Sequence, residues 1–116
     1  MESELDLLLG TAIDSLPKLE ILFHLIRSPG GVRTAREIGA QLRRATPQVE
    51  RALEELSQAE LVDRFAIGTG KHVLYGCRDD RHVQELLQLL HARYQDPASR
   101  SEVLLGALGQ SEQPES

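Results

Sequence analysis

Six arginines, Arg27, Arg33, Arg36, Arg43, Arg44 and Arg51, fall between residues 27 and 51 against two acidic side chains, in a chain of 116 residues with net charge −5. The flanks run the other way: residues 1–26 carry five acidic and one basic side chain, and residues 79–116 carry seven and three. Such a local reversal suits neutralisation of phosphate oxygens, the chemistry behind sequence-independent affinity for a nucleic acid. Any single arginine can equally solvate a surface or pair with Glu37 or Glu50. The other reactive residue types are scattered. His24, His72, His82 and His91 stand on separate segments, with no paired carboxylates and no nucleophile beside a base, so no catalytic residue, enzymatic activity or cofactor is assigned. The single Cys77 excludes an intramolecular disulfide and a Cys-rich zinc ribbon; it reads as a small strand-end residue, or alternatively as a redox-sensing thiol. Gly68-Thr69-Gly70-Lys71 is not a phosphate-binding loop. Phe65 stands where its first glycine belongs, His72 follows the lysine, and a strand follows where a helix is required.

The elements that must present the arginines are a helix, a tight turn and a second helix. Thr34-Ala35-Arg36-Glu37 is a Thr-x-x-Glu capping box, followed by an apolar stripe of Ile38 and Leu42. Thr46 predicts a second N-cap, with Pro47 at the first helical position, where its missing N–H costs nothing. Val49, Ala52, Leu53 and Leu56 follow at helical spacing and Leu61-Val62 turns extended. If Val49, Leu53 and Leu56 point inward, Gln48 and Arg51 point outward with Glu55 beside them. Gln pairs bidentately with adenine and Arg with guanine. Glu50, Glu54 and Glu55 make the same helix acidic, and an Arg51–Glu55 pair at i, i+4 would blunt the arginine. Val62–Ile67 and His72–Tyr75 are β-prone runs around a Gly-rich turn, hence a hairpin, which would bring Arg64, Lys71 and His72 to a backbone or minor groove.

Outside this unit the chain is helical. Ser3 begins a first helix with Leu5, Leu8, Leu9 and Ala12 on one face and Gly10 within it. Residues 17–27 form a second, with Pro17 in its first turn and Ser28-Pro29-Gly30-Gly31 at its end. Its Leu19, Leu22, Phe23 and Ile26 lie on one side and Ile21 and Leu25 on another, so it is buried from two directions. Asp79 or Asp80 caps a helix with Val83, Leu86, Leu87, Leu90 and Tyr94 in a stripe. Asp96-Pro97 restarts a last helix through Val103, Leu104, Ala107 and Leu108, and the tail from Gly109 is polar. No apolar run approaches a membrane span, and the start Met1-Glu2-Ser3-Glu4 lacks the basic region of a secretory signal, so the expected location is the cytoplasm.

A helix-turn-helix running directly into a β-hairpin is a winged helix. Over roughly residues 16–94 the chain resembles the winged-helix transcriptional repressors of bacteria and archaea, of the ArsR and MarR types. The resemblance rests on Ala45-Thr46-Pro47-Gln48-Val49, Arg51, Leu53, Leu56, Ala59, Leu61-Val62 and Gly70-Lys71-His72-Val73-Leu74-Tyr75. It departs at Glu50, commonly Ser in relatives, at Ala52, commonly His, and at Glu60, usually a Gly at the helix end. The thiolate motif of ArsR-type metal sensors is absent, since Val32 to Leu42 contains no cysteine. His82 and His91, nine residues apart and so about 180° around a helix, cannot share a site within one chain, which leaves only a dimer-bridging site to imagine. No metal ligand is assigned.

The resemblance implies a mainly α fold with a small β-hairpin: a winged helix-turn-helix with helices added at both ends. Residues 1–15 would be an N-terminal packing and dimerisation helix, 16–78 the winged helix-turn-helix, 79–108 the C-terminal dimerisation helices, and 109–116 a disordered tail. It implies a homodimeric regulator of an operator in double-stranded DNA, since a two-fold protein suits a palindrome. Arg36, Arg43, Arg44, Thr46, Gln48, Arg51, Arg64, Lys71 and His72 would meet the DNA; Leu5, Leu8, Leu9, Leu86, Leu87, Leu90 and Tyr94 would meet the second subunit. The alternative is a winged-helix protein–protein interaction module or adaptor with weak or lost DNA binding.

Overall fold

The computed structural model describes residues 2–28, 31–69 and 72–108. The tail expected to be disordered lies outside the described residues. Among these, six helices and one two-stranded antiparallel hairpin follow in the order α1 (Glu2–Leu8), α2 (Leu16–Ile26), α3 (Ala35–Leu42), α4 (Thr46–Gln58), β1 (Val62–Ile67), β2 (His72–Cys77), α5 (Arg81–Gln95) and α6 (Pro97–Leu108). This is the mainly helical architecture with a small hairpin that the sequence predicts.

The core is built around α2. Ser15 caps it, its hydroxyl accepting from the Lys18 N–H at 3.4 Å, and Pro17 lies in the first turn. Leu19, Ile21, Leu22 and Leu25 are all but completely buried, with Phe23 and Ile26 close behind, so both apolar sides of the helix are covered. Helices α3, α4, α5 and α6 and strand β2 all pack on it. The rings of His91 and Tyr94 stand 5.4 and 4.8 Å from Phe23, which places His91 at a core edge.

Helix α1 is shorter than its leucine pattern suggests. It stops at Leu8 because Gly10, at φ 91°, turns the chain and donates its N–H to the Ile13 carbonyl at 2.8 Å. Only glycine adopts that backbone at no steric cost. A hydrogen-bonding contact of Glu4 with His82 Nε2 at 2.7 Å and an ion pair of Asp6 with Arg93 at 3.1 Å tie α1 to α5. Leu5, Leu86, Leu87 and Leu90 are at most 2% exposed, and Leu8, Leu9 and Tyr94 are half-buried against the same core. The leucine faces expected to meet a second subunit are therefore used inside the chain, because α5 and α6 pack back onto α2. Of the two candidate caps for α5 it is Asp80 that accepts the Val83 N–H, at 3.0 Å, while the Asp79 N–H donates to Asp63.

The hairpin pairs Val62 with Cys77 and Ile67 with His72, so β2 runs two residues past the predicted Tyr75. Arg33 adds a single antiparallel bridge to Tyr75, with N–H···O distances of 2.9 and 2.7 Å. This bridge was not visible in the sequence, and it fastens the lead-in to α3 to the hairpin.

Candidate nucleic-acid interface

The helix-turn-helix is set by backbone chemistry at four points. At the start of α3, the Thr34 hydroxyl accepts the Glu37 N–H at 3.1 Å and the Glu37 carboxylate accepts the Thr34 N–H at 2.9 Å, the reciprocal box predicted. At its end Arg43 takes the left-handed conformation, φ 59°, and the Arg44 N–H returns to the Gly39 carbonyl at 2.9 Å. The turn folds so tightly over Gly39 that a Cβ there would lie 2.8 Å from the Arg44 carbonyl oxygen. Helix α4 then begins one residue before its predicted first turn. Thr46 is its first residue and not its cap; the cap is Ala45, whose carbonyl accepts the Val49 N–H at 3.1 Å and whose side chain can cap nothing.

The far end of α4 explains Glu60. It stands at φ 64°, its N–H donates to Ser57 at 3.0 Å, and the next N–H, of Leu61, reaches back to Leu56 at 3.0 Å. These two bonds form a Schellman motif, and Leu56 and Leu61 at its two ends are both buried in the core. Glutamate thus occupies the position that favours glycine, as the departure from the repressor pattern implies.

A groove of about 510 Å³ opens between the start of α3, the first half of α4 and the hairpin. It brings together five of the predicted contacts, Arg36, Thr46, Arg51, Arg64 and His72, from four elements on one side of the molecule. Glu50 and Glu54 line the same groove. Glu54 is already engaged: its Oε2 accepts from Arg64 Nε at 3.2 Å and from the Tyr75 hydroxyl at 3.4 Å. Burial, with the Glu54 charge acting in the same sense, raises the pKa of that hydroxyl and keeps it protonated as a donor. Arg64 is consequently drawn toward its own chain, and Arg36 and Arg51 are the groove cations with no ion-pair partner among the described residues.

The remaining predicted contacts lie elsewhere. Arg43 is exposed beside the turn. Arg44 is turned inward, its Nε 2.7 Å from Glu20 on α2, so its charge is largely spent within the chain, and its Nη1 touches Gln48 at 3.5 Å. The bond to Glu20 holds the Arg44 guanidinium firmly protonated. Gln48 is exposed. Lys71 lies outside the described residues.

The pairing of Arg51 with Glu55 that the i, i+4 spacing allows does not form. Glu55 Oε1 instead lies 2.6 Å from Lys18 Nζ, which also bonds Asp14 at 2.9 Å. Lys18 is 5% exposed, whereas its two carboxylate partners are about half-exposed, at 50% and 51%. Burial pulls the Lys18 pKa down, but the hydrogen bonds to Glu55 and Asp14 and their charges outweigh it and leave it raised. The signal for this residue was present in the sequence: Lys18 stands three and seven positions before Ile21 and Leu25, on a buried face of α2. A lysine there needs an acidic partner.

His24 and Cys77 have no part in the groove. His24 Nε2 is buried with no hydrogen-bond partner among the described residues, and burial, with Arg27 and Arg33 nearby, lowers its pKa. Burial, with Asp63 beside it, raises the pKa of Cys77, the opposite of what an activated thiol requires. Among the described residues no group of three or more His, Cys, Asp or Glu is placed to hold a metal ion, and no helix is long and apolar enough to cross a membrane.

No protein-family model matches the chain, and no curated protein matches it by sequence. Solved structures do match by shape. A mutant of Lactococcus lactis ZitR superposes with a TM-score of 0.55 at 20% identity, over 78% of this chain and 55% of that one. The Staphylococcus aureus MepR–DNA complex gives 0.62 at 16% identity, over 90% of this chain and 83% of that one. MepR, described as a transcription regulator of the multidrug efflux pump MepA, gives 0.61 at 17% identity, over 96% and 78%. The chain thus spans about half the length of the ZitR chain and about four-fifths of the MepR chains. At these identities the likeness establishes the fold, a winged helix-turn-helix with helices at both ends.

Proposed function

We propose that this chain is a DNA-binding transcriptional regulator that works as a pair of copies, lays α4 into the major groove and lets the hairpin straddle the adjacent backbone. The observation that carries the reading is the groove in which Arg36, Thr46, Arg51, Arg64 and His72 converge from four elements. One of the similar folds is that of a protein in complex with DNA. In this reading Arg51 and Gln48 on the exposed side of α4 meet base edges, while Arg36, Arg43, Thr46, His72 and Lys71 meet phosphates. Arg44, paired with Glu20, positions the turn. Residues 16–78 do the reading and the flanking helices the pairing of copies. With Leu5, Leu86, Leu87 and Leu90 covered, the side chains left to support that pairing are Leu7 and Leu105, 72% and 62% exposed. Their segments meet where Leu9 of the α1 turn packs on Gly106 of α6. The protein is read as cytoplasmic and without catalytic activity or cofactor.

A second reading, a winged-helix module that binds a protein partner, is favoured by one observation: Glu50 and Glu54 line the groove a phosphate backbone would approach. Salt dependence separates the two. Binding to the protein's own promoter fragment should weaken steeply with salt, and Arg43→Ala should flatten the log–log slope by about 1, loosening all sequences alike. Arg44→Ala should flatten it less, its charge being neutralised by Glu20. Arg51→Ala or Gln48→Ala should each lose roughly 1–3 kcal/mol on the preferred site and little on random DNA. Absence of salt-sensitive binding to any genomic fragment at low ionic strength would remove the DNA reading and put the protein-partner reading in its place.

A further inference from the structure

We infer that Lys18 is a specificity-determining residue that never touches DNA: by holding the Glu55 carboxylate it keeps the Arg51 guanidinium unpaired and available to a base edge. The inference rests on the reading of α4 as the DNA-reading helix, and its argument is a competition for one carboxylate. Arg51 and Glu55 are one helical turn apart on α4 and line the same cleft, together with Gln48, Asp14 and Lys18. Left alone, an arginine and a glutamate at this spacing pair. Here Glu55 is instead held at 2.6 Å by an ammonium that is 5% exposed, and Arg51 keeps no ion-pair partner among the described residues.

The competition is one-sided for a physical reason. An exposed pair gains little, because water screens it and two long side chains must be ordered. A buried ammonium has lost its hydration and must be satisfied by the protein, so it binds Glu55 and Asp14 more strongly than Arg51 can. Lys18 leaves α2 in its first turn and crosses to α4, so the charge state of the reading surface is set by a residue outside the helix-turn-helix. Removing that ammonium releases two half-exposed carboxylates beside Arg51.

The test is the ratio of affinity for the preferred site to affinity for random DNA, a quantity in which general loss of positive charge cancels. Lys18→Met should lower that ratio about 1.4- to 2.3-fold by engaging Arg51 with Glu55, and Glu55→Gln in the same chain should restore it. In an Arg51→Ala background Lys18→Met should change the ratio no further. A loss that Glu55→Gln does not restore, or that persists without Arg51, overturns the inference. Glu55→Gln alone, which leaves Lys18 in place and tests the point even if Lys18→Met does not fold, should leave the ratio unchanged; a rise would show that Glu55 restrains Arg51 in the intact protein. Hydrogen exchange at the Arg51 Nε–H, read by nitrogen NMR without DNA, should slow about 1.4- to 2.3-fold in Lys18→Met and recover with Glu55→Gln. An unchanged rate refutes the inference whether or not DNA binds, whereas wild type that binds no DNA but shows the exchange pattern refutes the DNA reading alone.

Discussion

Replacing Glu60 with glycine should stabilise the protein, against the usual expectation that glycine at a helix end costs conformational entropy. The backbone at Glu60 is left-handed, φ 64°, and the Schellman bonds of Glu60 and Leu61 fix it there. An L-residue pays roughly 1–2 kcal/mol for this conformation, because Cβ crowds the following carbonyl. Glycine removes that crowding and returns about 0.4–1 kcal/mol through the greater freedom of its unfolded chain. The side chain itself is exposed and forms no ion pair among the described residues, so little is lost with it. The expected net gain is about 0.5–1 kcal/mol. At a slope of about 1.5 kcal/mol per molar urea, the midpoint should rise by roughly 0.3–0.7 M. Glu60→Ala is the decisive control, since it deletes the carboxylate but keeps Cβ and should therefore give no such gain. Urea unfolding followed by circular dichroism reads all three proteins. An unchanged or lowered midpoint for the glycine variant, or an equal gain for alanine, would refute the argument that backbone strain is stored at this position.

Gly39→Ala should do the reverse: its new Cβ would stand 2.8 Å from the Arg44 carbonyl oxygen, a backbone atom that cannot swing aside, and the cost should be about 1–3 kcal/mol in the urea midpoint. Helix propensity alone predicts the opposite sign, a gain of roughly 0.5–1 kcal/mol, so a stabilised variant would show the turn to be loose. Wild type should sediment as a homodimer at micromolar concentration, with Leu7→Glu and Leu105→Glu shifting it to monomer and leaving the fold intact; a monomer throughout that range removes the pairing proposal. His24, held below its ordinary pKa of 6.5, contributes stability that is present above pH 6.5 and is lost as pH falls toward its folded value, because the unfolded imidazole takes up a proton first. Midpoints measured between about pH 7 and about 5 should fall less steeply in His24→Leu, and an identical slope would count against the imidazole as the source.

The winged helix was legible because its punctuation is local. The Thr34–Glu37 box, the Pro47 helix start and the two β-prone runs each announce themselves within a few residues. What escaped is long-range or backbone-borne. The Arg33–Tyr75 bridge uses only peptide groups and leaves no mark on residue type. The caps of α4 and of the turn fall on Ala45 and Arg43, neither of which a capping rule would choose. The leucines of α1 and α5 were assigned to a second subunit because periodicity reveals an apolar face without saying which surface covers it. The candidate site fared likewise. Residue types located Arg36, Arg51 and Arg64, but which arginine is free depends on Glu20, Glu54 and Lys18, set by packing between elements distant in sequence.

The bridge between Arg33 and Tyr75 ties the lead-in to α3 to the sheet, while Glu54 on α4 grips Arg64 and Tyr75 of the same hairpin. Helix-turn-helix and wing are thereby clamped at two places, one through backbone and one through side chains. Two such ties make them a single caliper whose opening is set by the chain itself. A jaw of constant width measures its object without adapting to it, so on the DNA reading proposed above duplexes whose groove width differs would be discriminated before any base is touched. On the DNA reading proposed above, a signal that released such a gauge would have to tilt or separate the two calipers of a pair.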